Sequence, residues 1–189
     1  MIEVVLASAS PRRKALLEAL GIVPSVRPAD VDETPADGEE AGQLVARLSR
    51  LKAHAAAASN PHSLVIAADT TVVLDGIIHN KPGDESENRS FIAALAGREH
   101  EVLTGHTLRL GGAEESIVVT TRVAFRNLDE GEIDRYVATG EGLDKAGGYA
   151  IQGRGSALVA GINGCHSNVV GLSVPAVIEA AARLGVRLV

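Results

Sequence analysis

Leu64-Val65-Ile66-Ala67-Ala68-Asp69-Thr70-Thr71-Val72-Val73-Leu74-Asp75-Gly76-Ile77-Ile78 decides the fold. Residues 64–68 form an apolar run of the length and β-branched character of a strand buried on both faces. Asp69-Thr70-Thr71 breaks the run, residues 72–74 resume it, and Asp75-Gly76 is a strong hairpin signal that returns Ile77-Ile78 antiparallel. A hairpin here forbids an all-parallel sheet, even though helical and strand patterns alternate along the chain.

Working outward, residues 2–7 read as another buried strand, and Ser10 can cap a helix that begins at Pro11, where a missing N–H costs nothing. Leu16, Leu17 and Leu20 give that helix its apolar face, and Gly21 ends it. Residues 24–38 are polar and turn-rich. Residues 39–59 form a longer helix with Leu44, Leu48, Leu51 and Ala55 recurring on one face. Downstream, Asp84 and Glu87 make a capping box for a helix stopped by Gly97. Two long strands follow at 101–110 and 116–125, joined by Gly111-Gly112. A short helix at 129–138, a glycine-rich loop at 140–155, a strand at 157–162, a turn at Asn163-Gly164 and a helix at 174–184 complete the chain. The expected fold class is α/β, layered, with a mixed β-sheet flanked by helices.

Composition narrows the function. The net charge is −6, and aromatic residues make up only 2% of the chain. A basic surface and stacking platforms are both lacking overall, which argues against nucleic acid as partner. Cys165 is the only cysteine, so no intrachain disulfide can form, and a reducing cytoplasm is the expected location. The N-terminal run lacks a basic region and is too short for a signal peptide, and no stretch nears a membrane span.

Several segments carry candidate chemistry. Ser8-Ala9-Ser10-Pro11-Arg12-Arg13, between a strand and a helix, combines backbone N–H groups at the positive end of a helix dipole with two hydroxyls and two guanidiniums. A phosphate would suit it, although a simple Ser cap with solvated arginines fits about as well. Asp69, at the end of a core strand, is placed to hold a metal or act as a base, or merely to turn the chain. Asp30-Val31-Asp32-Glu33 offers further oxygen ligands for a divalent cation, or a solvated acidic loop. Lys52 lies at the edge of an apolar helix stripe and can project its charge into a cleft. Pro82 restricts Lys81 to an extended backbone, which would aim its ammonium. In the loop from Asp144 to Gly153, glycines permit close approach of a ligand, and Gln152 offers both a donor and an acceptor to a base edge. Walker, dinucleotide-binding, nucleophile-elbow and His-Glu-x-x-His motifs do not occur. Cys165 and His166 are read as neighbours on a strand, facing opposite ways and therefore structural.

Taken in order, these pieces resemble the Maf family of nucleoside triphosphate pyrophosphatases. The likeness runs nearly end to end, through residues 6–13, Asp32-Glu33, Ala46-Arg47-Leu48, Lys52-Ala53, Ala68-Asp69-Thr70 and Lys81-Pro82. It continues through Gly97, His100, Thr104-Gly105, Asp144-Lys145-Ala146-Gly147, Ile151-Gln152-Gly153 and Asn168-Val169-Val170-Gly171-Leu172. The resemblance implies a single Maf-like domain over residues 1–189, with an elongated mixed sheet and two lobes around a cleft, similar to inosine triphosphate pyrophosphatase. It also implies a homodimer and a divalent cation, Mg²⁺ with Mn²⁺ or Co²⁺ as substitutes.

By the same likeness, Asp69 accepts the proton of the attacking water, and Arg12, Thr70 and Gln152 set base preference, here for dTTP and UTP. Ser8, Ser10, Arg13, Lys52 and Lys81 would hold the triphosphate, with Glu33 and Asp69 as metal ligands. Relatives acting on 7-methyl-GTP carry an acidic residue where Gln152 stands. Three positions depart from the usual pattern: Gly142 and Ser173 replace prolines, and His166 stands where Tyr is common. The competing reading is a nucleotide-binding regulator of cell division without turnover, and its mark would be binding without pyrophosphate release.

Overall fold

The run 64–74 forms one strand, not two. In the computed structural model, which describes residues 2–189, β3 (Leu64–Leu74) continues unbroken through Asp69-Thr70-Thr71. The two β-branched threonines keep the backbone extended where the sequence suggested an interruption. Before it come β1 (Val4–Leu6), α1 (Pro11–Glu18), β2 (Ser25–Val26) and α2 (Ala41–Ala58). After it come β4 (Ile77–His79), α3 (Glu85–Leu95), β5 (Glu99–Leu110), β6 (Ala113–Phe125), α4 (Glu130–Val137), β7 (Val159–Asn163), α5 (His166–Val170) and α6 (Val174–Arg183).

The strands make one seven-stranded sheet in the order β2-β1-β3-β5-β6-β7, with β4 paired to β3 beside that path. β1 runs parallel to β2 and β3, with Val5 opposite Val65. β3–β4 and β6–β7 are antiparallel. The sheet is therefore mixed, as the Asp75-Gly76 hairpin requires; Asp75 itself adopts φ 50°. Among the described residues no helix is long and apolar enough to cross a membrane.

The chain divides into two compact units. The first comprises residues up to Asp69, Thr104–Val119 and Gly171–Val189. β1 and the first half of β3 are buried on both faces, which explains their continuous apolar sequence. On one face Val4, Leu6, Leu64, Ile66 and Ala68 pack with Leu17 of α1 and with Val177, Ala180 and Ala181 of α6. On the other, Val5, Ala7, Val65 and Ala67 pack against Ala53 and Ala56 of α2. Each fully buried leucine or isoleucine contributes about 1.5–3 kcal/mol. Alanines bring α2 close to the sheet, and Gly105 lets it come closer still. A Cβ there would lie 2.2 Å from the Val45 carbonyl oxygen.

The second unit comprises Thr70–Leu103 and Thr120–Val170. Its core joins Val72, Ile92, Leu95, Val123, Phe125, Ile133, Tyr136 and Tyr149. His100, Phe125 and Tyr149 meet edge to face at centroid separations of 4.8–5.4 Å, a favourable aromatic arrangement.

Other boundaries shift modestly. Glu40 is the N-cap of α2, making a reciprocal capping box with Gln43. A 3-10 turn at Gly153–Leu158 delays β7. α5 is absent from the sequence reading: Cys165 and His166 stand at a helix start and not on a strand. The Cys165 N–H donates to Thr121 Oγ1 (3.1 Å), which ties the start of α5 to β6.

Candidate active site

Side-chain alternation along β3 puts Asp69 on the same face as Val65 and Ala67, the face covered by α2. Lys52 precedes Ala53 on that helix, and only 8% of its surface is exposed. Its Nζ donates to Asp69 Oδ1 at 2.6 Å and pairs with Glu33 Oε1 at 2.6 Å. One ammonium is thus shared by two carboxylates from different elements. The loop bearing Glu33 is itself held: Thr34 N–H donates to Asp32 Oδ1 (2.9 Å), and Arg47 Nη2 donates to the Thr34 carbonyl (3.0 Å). Arg47 also grips Glu39 through two 2.7 Å bonds, which hold the Glu39 carboxyl down at about 2.

At the C-terminal end of β1, the end that runs alongside Asp69, the ladder extends to Ala7, whose N–H donates to the Ile66 carbonyl (2.8 Å), and the chain leaves the sheet at Ser8. Ser8 Oγ accepts from the Ser10 N–H (3.2 Å) and from Arg13 Nη1 (3.0 Å). Ser10 caps α1 by accepting from the Arg13 N–H (3.4 Å), as the sequence predicted. Arg13 does not splay outward. Its Nε donates to the Gly171 carbonyl at 2.8 Å, which braces the guanidinium inside the unit. Burial lowers its pKa, Asp69 opposes that shift, Arg12 adds to it, and Glu33 opposes it.

His106 lies within the field of Arg13. Its Nε2 accepts the Ser173 N–H (2.8 Å), so the ring is neutral with its proton on Nδ1. Burial, reinforced by Arg13, lowers the His106 pKa to about 4. The sequence reading missed Arg47, His106 and the Gly171 carbonyl as supports. Arg47 and Gly171 carried a signal, as members of the Ala46-Arg47-Leu48 and Asn168-Val169-Val170-Gly171-Leu172 segments, and His106 carried none.

The first unit therefore holds two bonded groups, Ser8–Ser10–Arg13 and Glu33–Lys52–Asp69, near enough for Asp69, Arg12 and Glu33 all to act on the Arg13 charge. Thr70, Lys81 and Gln152 belong to the second unit. Thr70 directly follows Asp69 in β3, while Lys81 and Gln152 are exposed. A hollow of about 240 Å³ near Ile151, Val159, Ile162 and His166 includes none of these residues.

The pair Glu33–Asp69 fits a divalent cation. Two hard oxygen atoms already converge on one positive charge, and Mg²⁺ is commonly held by one or two carboxylates with substrate phosphates completing its shell. Among the described residues no group of three or more His, Cys, Asp or Glu is gathered for a metal, so a cation here would depend on ligands brought by the substrate.

A mixed-sheet α/β scaffold with cations and carboxylates gathered at the end of β1 and along β3 has the construction of a protein that handles a polyanion. The chain belongs to the Maf family: the profile described as Maf-like protein matches residues 3–184. It is 50% identical over 184 residues to the dTTP/UTP pyrophosphatase of Myxococcus xanthus (strain DK1622), covering 97% of this chain and 93% of that protein. Identity is 44% over 187 residues to the dTTP/UTP pyrophosphatase of Pelotomaculum thermopropionicum (strain DSM 13744 / JCM 10971 / SI), covering 98% of each. Among solved structures, that of the Staphylococcus aureus Ham1 protein superposes with a TM-score of 0.47 at 19% identity, over 65% of this chain and 71% of that one.

Proposed function

We propose that this protein hydrolyses dTTP and UTP to the nucleoside monophosphate and pyrophosphate. The observation that carries this reading is the Lys52 ammonium held between Asp69 and Glu33, in a chain half identical to a protein named for that activity. Water attacks the α-phosphorus while the bond from that phosphorus to the bridging oxygen breaks, and pyrophosphate departs with the electron pair. Asp69 takes the water proton. Its Oδ1 is engaged by Lys52, which leaves Oδ2 for that task. Arg12, Arg13, Lys52 and Lys81 neutralise charge on the triphosphate, and the Ser8 and Ser10 hydroxyls donate to its oxygens. Lys52 is then shared between carboxylate and phosphate.

Glu33 and Asp69 would hold a divalent cation, Mg²⁺ with Mn²⁺ or Co²⁺ as substitutes. When bound, it supplies charge neutralisation on the phosphate oxygens. Arg12, Thr70 and Gln152 are assigned to base preference on the family likeness, and a homodimeric, cytoplasmic enzyme completes the proposal.

The test is Asp69→Asn, assayed for pyrophosphate release from dTTP with Mg²⁺. Turnover is expected to fall by roughly 10²–10⁴ in a protein that stays folded, since the Asn carbonyl still accepts from Lys52 and Glu33 keeps its ion pair. Near-normal turnover in a folded variant would remove Asp69 from the mechanism.

A further inference from the structure

The loop that carries Gln152 is a braced structure whose main brace is Glu141. The Glu141 carboxylate accepts from two successive backbone groups, the Arg154 N–H at Oε1 (3.0 Å) and the Gly155 N–H at Oε2 (2.8 Å). Those groups open the 3-10 turn Gly153–Leu158, whose N-cap is Gln152. Backbone N–H groups at a helical start need an acceptor, and Glu141 supplies it from thirteen residues upstream. Glu141 is itself fixed at both ends of its peptide unit. Its N–H donates to Thr139 Oγ1 (3.1 Å), and its carbonyl accepts from Lys145 Nζ (2.6 Å).

The fit leaves no slack. Gly153, at φ 74°, would bring a Cβ within 2.4 Å of Glu141 Oε1. The preceding stretch is equally constrained: Asn88 Nδ2 donates to the Gly148 carbonyl (2.7 Å), His100 Nε2 lies 2.7 Å from the Tyr149 hydroxyl, and the Ala150 N–H donates to Tyr136 Oη (3.2 Å). Glycines at 147, 148, 153 and 155 therefore serve close packing and positive φ, and do not make a flexible connector.

We propose that Glu141 is the positioning residue for Gln152. By clamping the two N–H groups that follow it, Glu141 fixes the backbone from which Gln152 projects, and so sets base preference without touching nucleotide. The proposal rests on the reading that Gln152 recognises the base. A carboxylate is required because both oxygens must accept. An amide in its place turns one acceptor into a donor facing an N–H.

The experiment compares Glu141→Gln and Gln152→Ala with the unmodified protein. Each is assayed for kcat and KM with dTTP, UTP, CTP and GTP, and for inhibition by inorganic triphosphate. For Glu141→Gln, KM for dTTP is expected to rise about tenfold, and preference over CTP and GTP to narrow by a similar factor. Its kcat and the triphosphate inhibition constant should stay within about twofold.

Unchanged KM and preference in Glu141→Gln, alongside lost preference in Gln152→Ala, overturns the role of Glu141. Retained preference in Gln152→Ala instead overturns the base-reading assignment beneath it. A parallel shift of KM and the triphosphate constant marks a merely structural role and also overturns the proposal. Should Glu141→Gln fail to fold, Gly153→Ala strains the same contact from the opposite side and is held to the same outcomes.

Discussion

Lys52 projects from an alanine-rich helix, 8% exposed, with its ammonium 2.6 Å from two carboxylates. Removing it leaves Asp69 without its hydrogen-bonded cation in a largely buried position, and such losses are far more costly than breaking a surface pair. Glu33 is half exposed and moderates the effect. Lys52→Met is therefore expected to lower stability by about 2 kcal/mol at neutral pH. The same variant leaves two carboxylates facing a common point, so added Mg²⁺ should raise its thermal midpoint more than it raises that of the unmodified protein. A thermal melt with and without Mg²⁺ checks both. Equal midpoint shifts in the two proteins would argue against Glu33 and Asp69 as the metal pair. The stripe read on α2 brought Lys52 near the core but was turned too far: Leu51 and Ala55 face outward, and Lys52 lies with Ala53 and Ala56 on the buried face. Its partnership with Glu33 was not legible, because no periodicity records which way an irregular loop folds back.

At the scale of elements, α2 and β5 meet where Gly105 faces the Val45 carbonyl. Backbone-to-backbone approach of this kind tolerates no side chain, and α2 is also the element that presents Lys52. Gly105→Ala is expected to cost about 1–3 kcal/mol through overpacking and to reduce turnover by displacing Lys52, checked by urea denaturation and steady-state kinetics on one preparation. Unaltered stability would mean that α2 can shift freely over the sheet. Most of these elements were readable from local rules: Ser10 and Asp84 as caps, Asp75-Gly76 as a hairpin, Leu44 and Leu48 on the buried face of α2, although the Glu87 carboxylate accepts from the Gly83 N–H and does not close the expected box on Asp84. Two features were not. Thr70 and Thr71 look like a break beside Asp69, yet strand pairing carries them through. The 140–155 segment reads as a glycine-rich loop open to a ligand, but its order was hidden, because it comes from Asn88, His100, Tyr136 and Glu141, which are distant or polar and leave no periodic trace. Gly142 belongs with them: a Cβ there would lie 1.9 Å from the Gly148 carbonyl oxygen, so no side chain, a proline ring included, has room in this loop.

Across the whole molecule, one buried neutral histidine sits in each compact unit. His106 faces Arg13, the Ser173 N–H and the carbonyls of Thr104 and Ile117, while His100 faces Tyr149, Phe125 and His79. Burial lowers both pKa values to about 4, against about 6.5 in an unfolded chain. Between those values the unfolded state binds more protons. Stability is therefore full above about pH 6.5 and is lost as pH falls toward about 4, by on the order of 3 kcal/mol per histidine. Glu39, held at about 2 by Arg47, acts in a separate and lower window. Urea denaturation at a series of pH values checks the slope. His106→Gln, which keeps an acceptor for Ser173 but does not titrate, should remove about half of it. A slope unchanged by that substitution would show that His106 is not buried neutral.

The bond between His106 and Ser173 also limits what position 173 can hold. The Ser173 backbone, at φ −70°, already has the shape a proline needs. A proline nitrogen has no hydrogen to give, so its arrival would strand the buried ring acceptor of His106, at roughly 1–3 kcal/mol. That is a large share of the margin by which most domains stay folded. Two positions 67 apart in the chain are thus tied by one backbone hydrogen, and a proline at 173 calls for a different residue at 106.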